Sequence, residues 1–254
     1  MANHNVYPDF FAQFYDVIYE HVRSGTDQNY FLNKILDVDG AVLEVGVGTG
    51  RLFTKALSKG ADIYGIDINK SMIDVLKQKI EPSAHFRIKI QDVTKLKLNK
   101  NFPLIIAPFR VFSHLVEIQD QLDALNAIYD HISPGGKLIF DLFVPNLEMI
   151  DKGLDRIKDF EGEYKPGKKL TRITSMKANL INQISDVKMQ ITWDDEKGNE
   201  ITKDWLFKMR FFFRFELEHL IARSKLQLET IYGDYDESPL EKGSKEFIIV
   251  CKRP

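Results

Sequence analysis

At 254 residues the chain is long enough for one large domain or two small ones of ~100–200 residues, with 44% hydrophobic and 28% charged residues. A formal charge of −2 offers no concentrated basic surface for non-specific nucleic-acid binding, and a single cysteine, Cys251, rules out an intrachain disulfide. No apolar run reaches the ~18 residues of a membrane span, and Met1-Ala2-Asn3-His4-Asn5 has neither the basic nor the apolar region of a signal peptide. The expectation is a soluble, cytoplasmic protein without nucleic-acid or membrane partners.

Residues 8–23 begin at Pro8 and carry Phe11, Phe14, Tyr15, Ile18, Tyr19 and Val22 at three-to-four spacing, the pattern of an amphipathic helix with proline in its first turn. These aromatics either fill a core or form a flap that points Tyr15 or Tyr19 into a site. Ser24-Gly25 breaks the helix, and Thr26 is placed to cap a second one over 27–37. Val42-Leu43-Glu44-Val45-Gly46-Val47-Gly48-Thr49-Gly50 follows, a short apolar run ending in an acid and a turn with glycine at every second position. Apolar residues at helical spacing then run to Gly60, so the segment reads as buried strand, glycine-rich turn and helix. Such a turn admits positive φ and leaves no Cβ between chain and ligand, and the helix N-terminus beyond it adds free N–H groups.

A second strand, Asp62 to Ile68, places Asp67 near its end, and Asn69 is positioned to cap a helix over 70–80 with Met72, Ile73, Leu76 and Ile80 on one side. Residues 86–90 form a third strand followed by Gln91-Asp92-Val93, and 102–107 a fourth that runs into Pro108-Phe109-Arg110-Val111-Phe112-Ser113-His114. A helix over 118–131 ends in the turn Ser133-Pro134-Gly135-Gly136 before a fifth strand at 137–143. Alternating buried strands and amphipathic helices predict a parallel sheet covered on both faces.

Near residue 146 the pattern changes. Residues 147–158 read as helix, 161–169 as a polar loop, and 170–178, 183–193 and 201–212 as alternating strands, the last two joined by a hairpin at Asp194–Asn199. A helix at 215–223 and closing strands at 226–232 and 246–251 complete the chain. The expected division is a core of 1–145 and 215–254 with an antiparallel insertion at 146–214.

Two phosphate-binding readings of the glycine turn fail on spacing. A dinucleotide fingerprint sets its third glycine three places after the second, whereas Gly50 follows Gly48 by two. A Walker A loop needs a lysine and a hydroxyl residue after the last glycine, and here Arg51-Leu52-Phe53 follows. The ordered set of Glu44-x-Gly46-x-Gly48-x-Gly50, Asp67, Asp92-Val93 and the Ser133-Pro134-Gly135-Gly136-Lys137-Leu138 turn resembles the class I S-adenosylmethionine-dependent methyltransferases over residues 40–145. Glycines in turns and acids at strand ends are individually commonplace. Glu44, Asp67 and Asp92 together fall at the C-terminal ends of successive strands, where open α/β sheets bind ligands.

The resemblance implies a Rossmann-like α/β fold with a seven-stranded, mostly parallel sheet, helices on both faces and a reversed last strand, plus the inserted antiparallel β-sheet. It implies S-adenosyl-L-methionine as cofactor and S-adenosyl-L-homocysteine as product. Glu44, Gly46, Gly48 and Gly50 would lie under the methionine part, Asp67 would accept from the ribose diol, Ile68, Met72, Asp92 and Val93 would flank the adenine, and Pro108 would border the methionine end. The segment after the fourth strand lacks the polar first residue of the [D/N/S]-P-P-[Y/F/W] signature of DNA-adenine methyltransferases, having Ala107-Pro108-Phe109. That disfavours amino methylation of a base by that route. His114 is the candidate general base, with an ordinary pKa of ~6.5, or it packs at the strand-to-helix corner. Arg110 either holds an anionic substrate group or pairs with an acid. Tyr15 resembles the tyrosine of an N-terminal Tyr-Asp pair in small-molecule methyltransferases and is the second catalytic candidate. His131 sits near a predicted helix C-terminus, where dipole and solvent explain it, and His4, His21, His85 and His219 show no partner pattern, so no metal is expected. The insertion, with Trp193, Trp205, Phe207 and Phe211-Phe212-Phe213, would roof the substrate cleft, make a homodimer contact, or fill its own core. The expected activity is N- or O-methylation of a small-molecule acceptor. A protein or nucleic-acid methyltransferase and a non-catalytic binder of the cofactor stay as alternatives, and an NAD-dependent dehydrogenase is the outsider.

Overall fold

The computed structural model describes residues 6–22 and 25–254; the sequence readings of Met1–Asn5, including His4, and of Ser24 fall outside them. Close packing divides the chain into two units, Gly25–Pro145 with Phe211–Pro254, and Met1–Ser24 with Asn146–Arg210.

The larger unit opens with helix α3 (Thr26–Leu36), then β1 (Val42–Val45), α4 (Phe53–Ser58), β2 (Ile63–Asp67), α5 (Lys70–Gln78), β3 (Ile88–Ile90), β4 (Phe102–Ala107), α6 (Ile118–His131) and β5 (Ile132–Phe143). It closes with α8 (Arg214–Ala222), β10 (Gln227–Tyr232) and β11 (Glu246–Lys252). The seven strands lie in the order β10-β11-β5-β4-β1-β2-β3, with β11 antiparallel to both neighbours and the other pairings parallel. This is the expected seven-stranded, mostly parallel sheet. Successive side chains of a strand point to opposite faces. Val42, Leu104, Ile106, Ile139, Ile248 and Val250 therefore pack with α3, α4 and α5 on one face. Leu43, Ile105, Leu138, Phe140, Phe247 and Ile249 meet α6 and α8 on the other. Burial on both sides explains why the strands read as continuous apolar runs.

Several local expectations change. Gly25, at φ 81°, precedes the first turn of α3, and Thr26 lies inside the helix instead of capping it. The 133–136 turn lies within β5, where Gly135 takes φ 75° and the β4 register jumps from Phe102↔Ile132 to Leu104↔Lys137. Asn69 caps α5 as expected, its Oδ1 accepting the Met72 N–H at 3.0 Å.

The smaller unit contains α1 (Asp9–Ala12), α2 (Tyr15–Val22), α7 (Leu147–Lys152) and an antiparallel sheet of β6 (Leu154–Lys165), β7 (Lys168–Asn179), β8 (Ile184–Asp194) and β9 (Glu200–Arg210). The expected helix over 8–23 is broken at residues 13–14, where the Phe14 N–H bonds to the Phe11 carbonyl at 2.9 Å in a tightened turn. The helix expected over 147–158 stops at Gly153, φ 69°, and the supposed loop at 161–169 belongs mostly to β6 and its hairpin with β7. Interrupted pairing disguised that strand: its register with β7 shifts at three places. The N-terminal segment was assigned by sequence to the core, yet its aromatics pack in this smaller unit. Phe10 stacks on Trp193 at 5.7 Å, Phe14 meets Trp193 and Tyr164, and Tyr7 and Phe11 lie against Trp205. Trp193, Trp205 and Phe207 are buried and fill this unit's own core. Among the described residues, no helix is long and apolar enough to cross a membrane.

Replacing Asn69 with Ala should cost about 1 kcal/mol of stability, the usual value of a helix cap, and denaturant unfolding of the variant measures it directly.

Candidate functional site

Parallel pairing builds the site. Glu44 on β1 lies level with Gly65 on β2 and Ile106 on β4, and Asp67 lies level with Ile90 on β3. The parallel strands therefore bring Glu44 near the end of β1, Asp67 at the end of β2 and Asp92 after β3 to one edge of the sheet. The chain then turns through Gly46, Gly48 and Gly50, all left-handed at φ 73°, 53° and 82°. Ile66 O accepts both the Gly46 and Val47 N–H groups, at 2.8 and 2.9 Å. Asp67 ties down the turn, its Oδ2 accepting the Gly48 N–H at 2.8 Å and its Oδ1 the Asn69 N–H at 2.7 Å. A Cβ on Gly50 would run into Leu76, and one on Gly46 would come within 2.5 Å of Val111 Cγ2. One on Gly48 would meet nothing nearer than Gly46 O at 4.0 Å, so the middle of the turn faces open space.

Glu44 is 1% exposed and its Oε2 has no hydrogen-bond partner among the described residues. Burial pushes its carboxyl well above the ordinary carboxylate range, a shift that Arg51 opposes and Asp67 adds to. Burial also raises Asp67, against the N–H groups of Asn69, Gly48 and Ile68. A buried carboxyl oxygen without a donor costs free energy unless a ligand supplies one.

On the β3 side, Asp92 Oδ1 accepts from both Thr94 N–H and Thr94 Oγ1, at 2.9 and 2.8 Å, fixing the turn that carries half-buried Val93. Ile68 is 44% exposed, whereas Met72 is 1% exposed and sealed within the fold, so Ile68 is the one with surface to offer an adenine. On the β4 side, Pro108 is buried and leads into Phe109 and Arg110, consecutive left-handed residues at φ 62° and 64°. Such conformations cost on the order of 1–3 kcal/mol each and persist only where surroundings enforce them. His114 follows in a short 3₁₀ turn; burial lowers its pKa to about 4, so it is neutral at physiological pH. Tyr15 opens α2 in the other unit, its ring 4.4 Å from that of Tyr19. Among the described residues, no three His, Cys, Asp or Glu side chains gather to hold a metal ion.

Sequence reasoning passed over Arg51 and Asp141. The Arg51 guanidinium lies 4.4 Å above the Phe109 ring and 3.4 Å from the Asp27 carboxylate. Asp141, fully buried on β5, receives the Tyr235 hydroxyl at 2.8 Å and the Arg110 N–H at 3.3 Å. Its signal was available: an acid inside the apolar strand Leu138-Ile139-Phe140-Asp141-Leu142 needs partners when buried.

A profile of the methyltransferase domain matches residues 42–136, from the first strand of the cradle to the turn within β5. A methyltransferase of Bacillus cytotoxicus is 30% identical over 153 residues, covering 59% of this chain and 69% of the relative. The chain belongs to the methyltransferase family. Among solved structures, the S-adenosylmethionine-dependent methyltransferase of Clostridium acetobutylicum superposes with a TM-score of 0.73 at 18% identity, over 96% of this chain and 97% of the other. The sugar N-methyltransferase KedS8 of Streptoalloteichus superposes at 0.71 with 16% identity, over 94% and 92%. The cofactor of this methyltransferase is S-adenosylmethionine, and the site fits it. The unpartnered Glu44 oxygen suits the donor groups of its amino-acid part, the space over Gly48 leaves room at the turn, and Asp67 ends β2 at the same edge of the sheet.

Two measurements test these placements. Asp67→Ala should weaken S-adenosylhomocysteine binding at least about tenfold, the loss of one charge-assisted interaction, and unchanged affinity in calorimetry rejects its ribose role. Burial raises the Glu44 and Asp67 carboxyls above their unfolded values, so ligand-free stability should slope downward as pH rises above the ordinary carboxylate range. Glu44→Gln should flatten that slope in denaturant unfolding.

Proposed function

We propose that this methyltransferase acts on a nitrogen or oxygen of a small-molecule acceptor, with amino sugars the first class to test. When bound, S-adenosylmethionine supplies a methyl group already activated by its sulfonium charge and leaves as S-adenosylhomocysteine. The chain's own work is to hold, orient and dry the reacting groups; positioning alone contributes as much as ~7–11 kcal/mol. Asp67 fixes the ribose, Ile68, Asp92 and Val93 border the adenine, and the glycine turn with Glu44 and Pro108 borders the methionine part. His114, neutral at physiological pH, offers a ring nitrogen to an acceptor proton. Its low basicity suits orienting an amine that loses its proton after transfer. Tyr15 stays the second catalytic candidate.

What carries the small-molecule reading is coverage. The likeness to the sugar N-methyltransferase extends over 94% of this chain. It therefore takes in the four-stranded sheet as well as the 42–136 domain common to methyltransferases at large.

Isothermal titration should show binding of S-adenosylmethionine and S-adenosylhomocysteine and none of NAD; the reverse pattern would sink the assignment. A screen of amino sugars, small amines and hydroxylated metabolites, read by homocysteine release, should find an acceptor. Turnover confined to a protein or an oligonucleotide would replace the small-molecule reading, and binding without turnover on any acceptor would favour a non-catalytic role.

A further inference from the structure

The Phe109–Val111 segment touches the glycine cradle at both ends. Val111 packs where a Cβ of Gly46 would stand, and the Phe109 ring carries the guanidinium of Arg51, the residue directly after Gly50. Between these contacts, Arg110 pairs with acids of β5 and β11. Its Nη2 donates to both oxygens of Glu246, at 2.6 and 2.7 Å, and its Nη1 lies 3.4 Å from Asp141 Oδ2. The Arg110 main-chain N–H also donates to Asp141 Oδ1. Asp141 is anchored in turn by the Tyr235 hydroxyl, which burial and the neighbouring carboxylate hold firmly protonated. Arg110 and Glu246 are mostly buried, with side chains 17% and 16% exposed, so this grip is shielded from solvent.

We infer that Asp141, with Glu246 and Tyr235, acts as the positioning group of the cofactor site: it grips Arg110 and thereby holds Phe109 and Val111 as the wall of the glycine cradle. The left-handed pair Phe109-Arg110 is the local evidence that something outside the turn enforces its shape. The wall rises on the β4 side of β1, whereas Asp67 and Asp92 rise on the β2 and β3 side. A cofactor whose ribose meets Asp67 presents its amino-acid end to this wall. The inference rests on that placement of the cofactor.

The test compares two ligands that differ only at that end, S-adenosylhomocysteine and adenosine, by calorimetry on wild type, Asp141→Asn, Tyr235→Phe, Arg110→Gln and the Arg110→Gln/Asp141→Asn double variant. Asp141→Asn should bind S-adenosylhomocysteine about tenfold more weakly, about 1.4 kcal/mol, with adenosine affinity within about twofold of wild type. The double variant should lose no more than the worse single one, because the two residues act as a unit. Tyr235→Phe, which keeps every charge, should show a smaller loss of the same selectivity and carries the test should Asp141→Asn fail to fold. Equal losses for both ligands would mark a general weakening of the fold and overturn the inference, as would unchanged affinity or additive losses. Failure of wild type to bind S-adenosylhomocysteine at all would instead overturn the cofactor placement.

Discussion

The bond from the Gly48 N–H to the Asp67 carboxylate joins the two halves of the cofactor site. It links the turn after β1 to the end of β2, and the second oxygen of the same carboxylate holds the Asn69 N–H at the entry to α5. Asn69 then caps that helix through Met72, and Leu76 of the helix closes against Gly50. One carboxylate thus coordinates turn, strand end and helix start. Because both of its oxygens are held by main-chain N–H groups in a largely shielded place, small displacements are costly in a medium of low dielectric. Rigidity at this point is what a reaction governed by alignment requires.

The two sides of the cradle are built by different physics. On the β2–β3 side, short side chains cap the backbone locally: Asp67 with Asn69, Asp92 with Thr94. On the β4 side, Arg110 is gripped by residues 31 and 136 positions away, Asp141 and Glu246. The first device is written in adjacent residues; the second exists only once β5 and β11 have paired.

That difference decides what was legible in the sequence. The glycine spacing, the acids ending the early strands and the Asn69 cap are local signals, and the parallel sheet with its cofactor edge followed from them. Asp141 and Arg51 were overlooked because their partners are brought together by the topology. The smaller unit was harder for a related reason. Its antiparallel character was visible in residues 170–210, but β6 was obscured by irregular pairing, and the aromatic helices at the start of the chain gave no hint that Trp193 and Trp205 were their partners. Periodicity reports which face is buried; it does not report against what.

Assembling one unit from both ends of an interruption has a consequence for biosynthesis. Phe10 and Phe14 are translated well before Trp193, the ring on which they pack. At ~5–20 residues per second, these aromatic helices wait on the order of ten to forty seconds for their partner strands to emerge. During that interval β1 to β5 emerge while the early aromatics lack the tryptophans they pack on, and the larger sheet still waits for β10 and β11, which follow β9 in the chain. The smaller unit has all its strands once β9 is made, before β10 and β11 close the larger sheet.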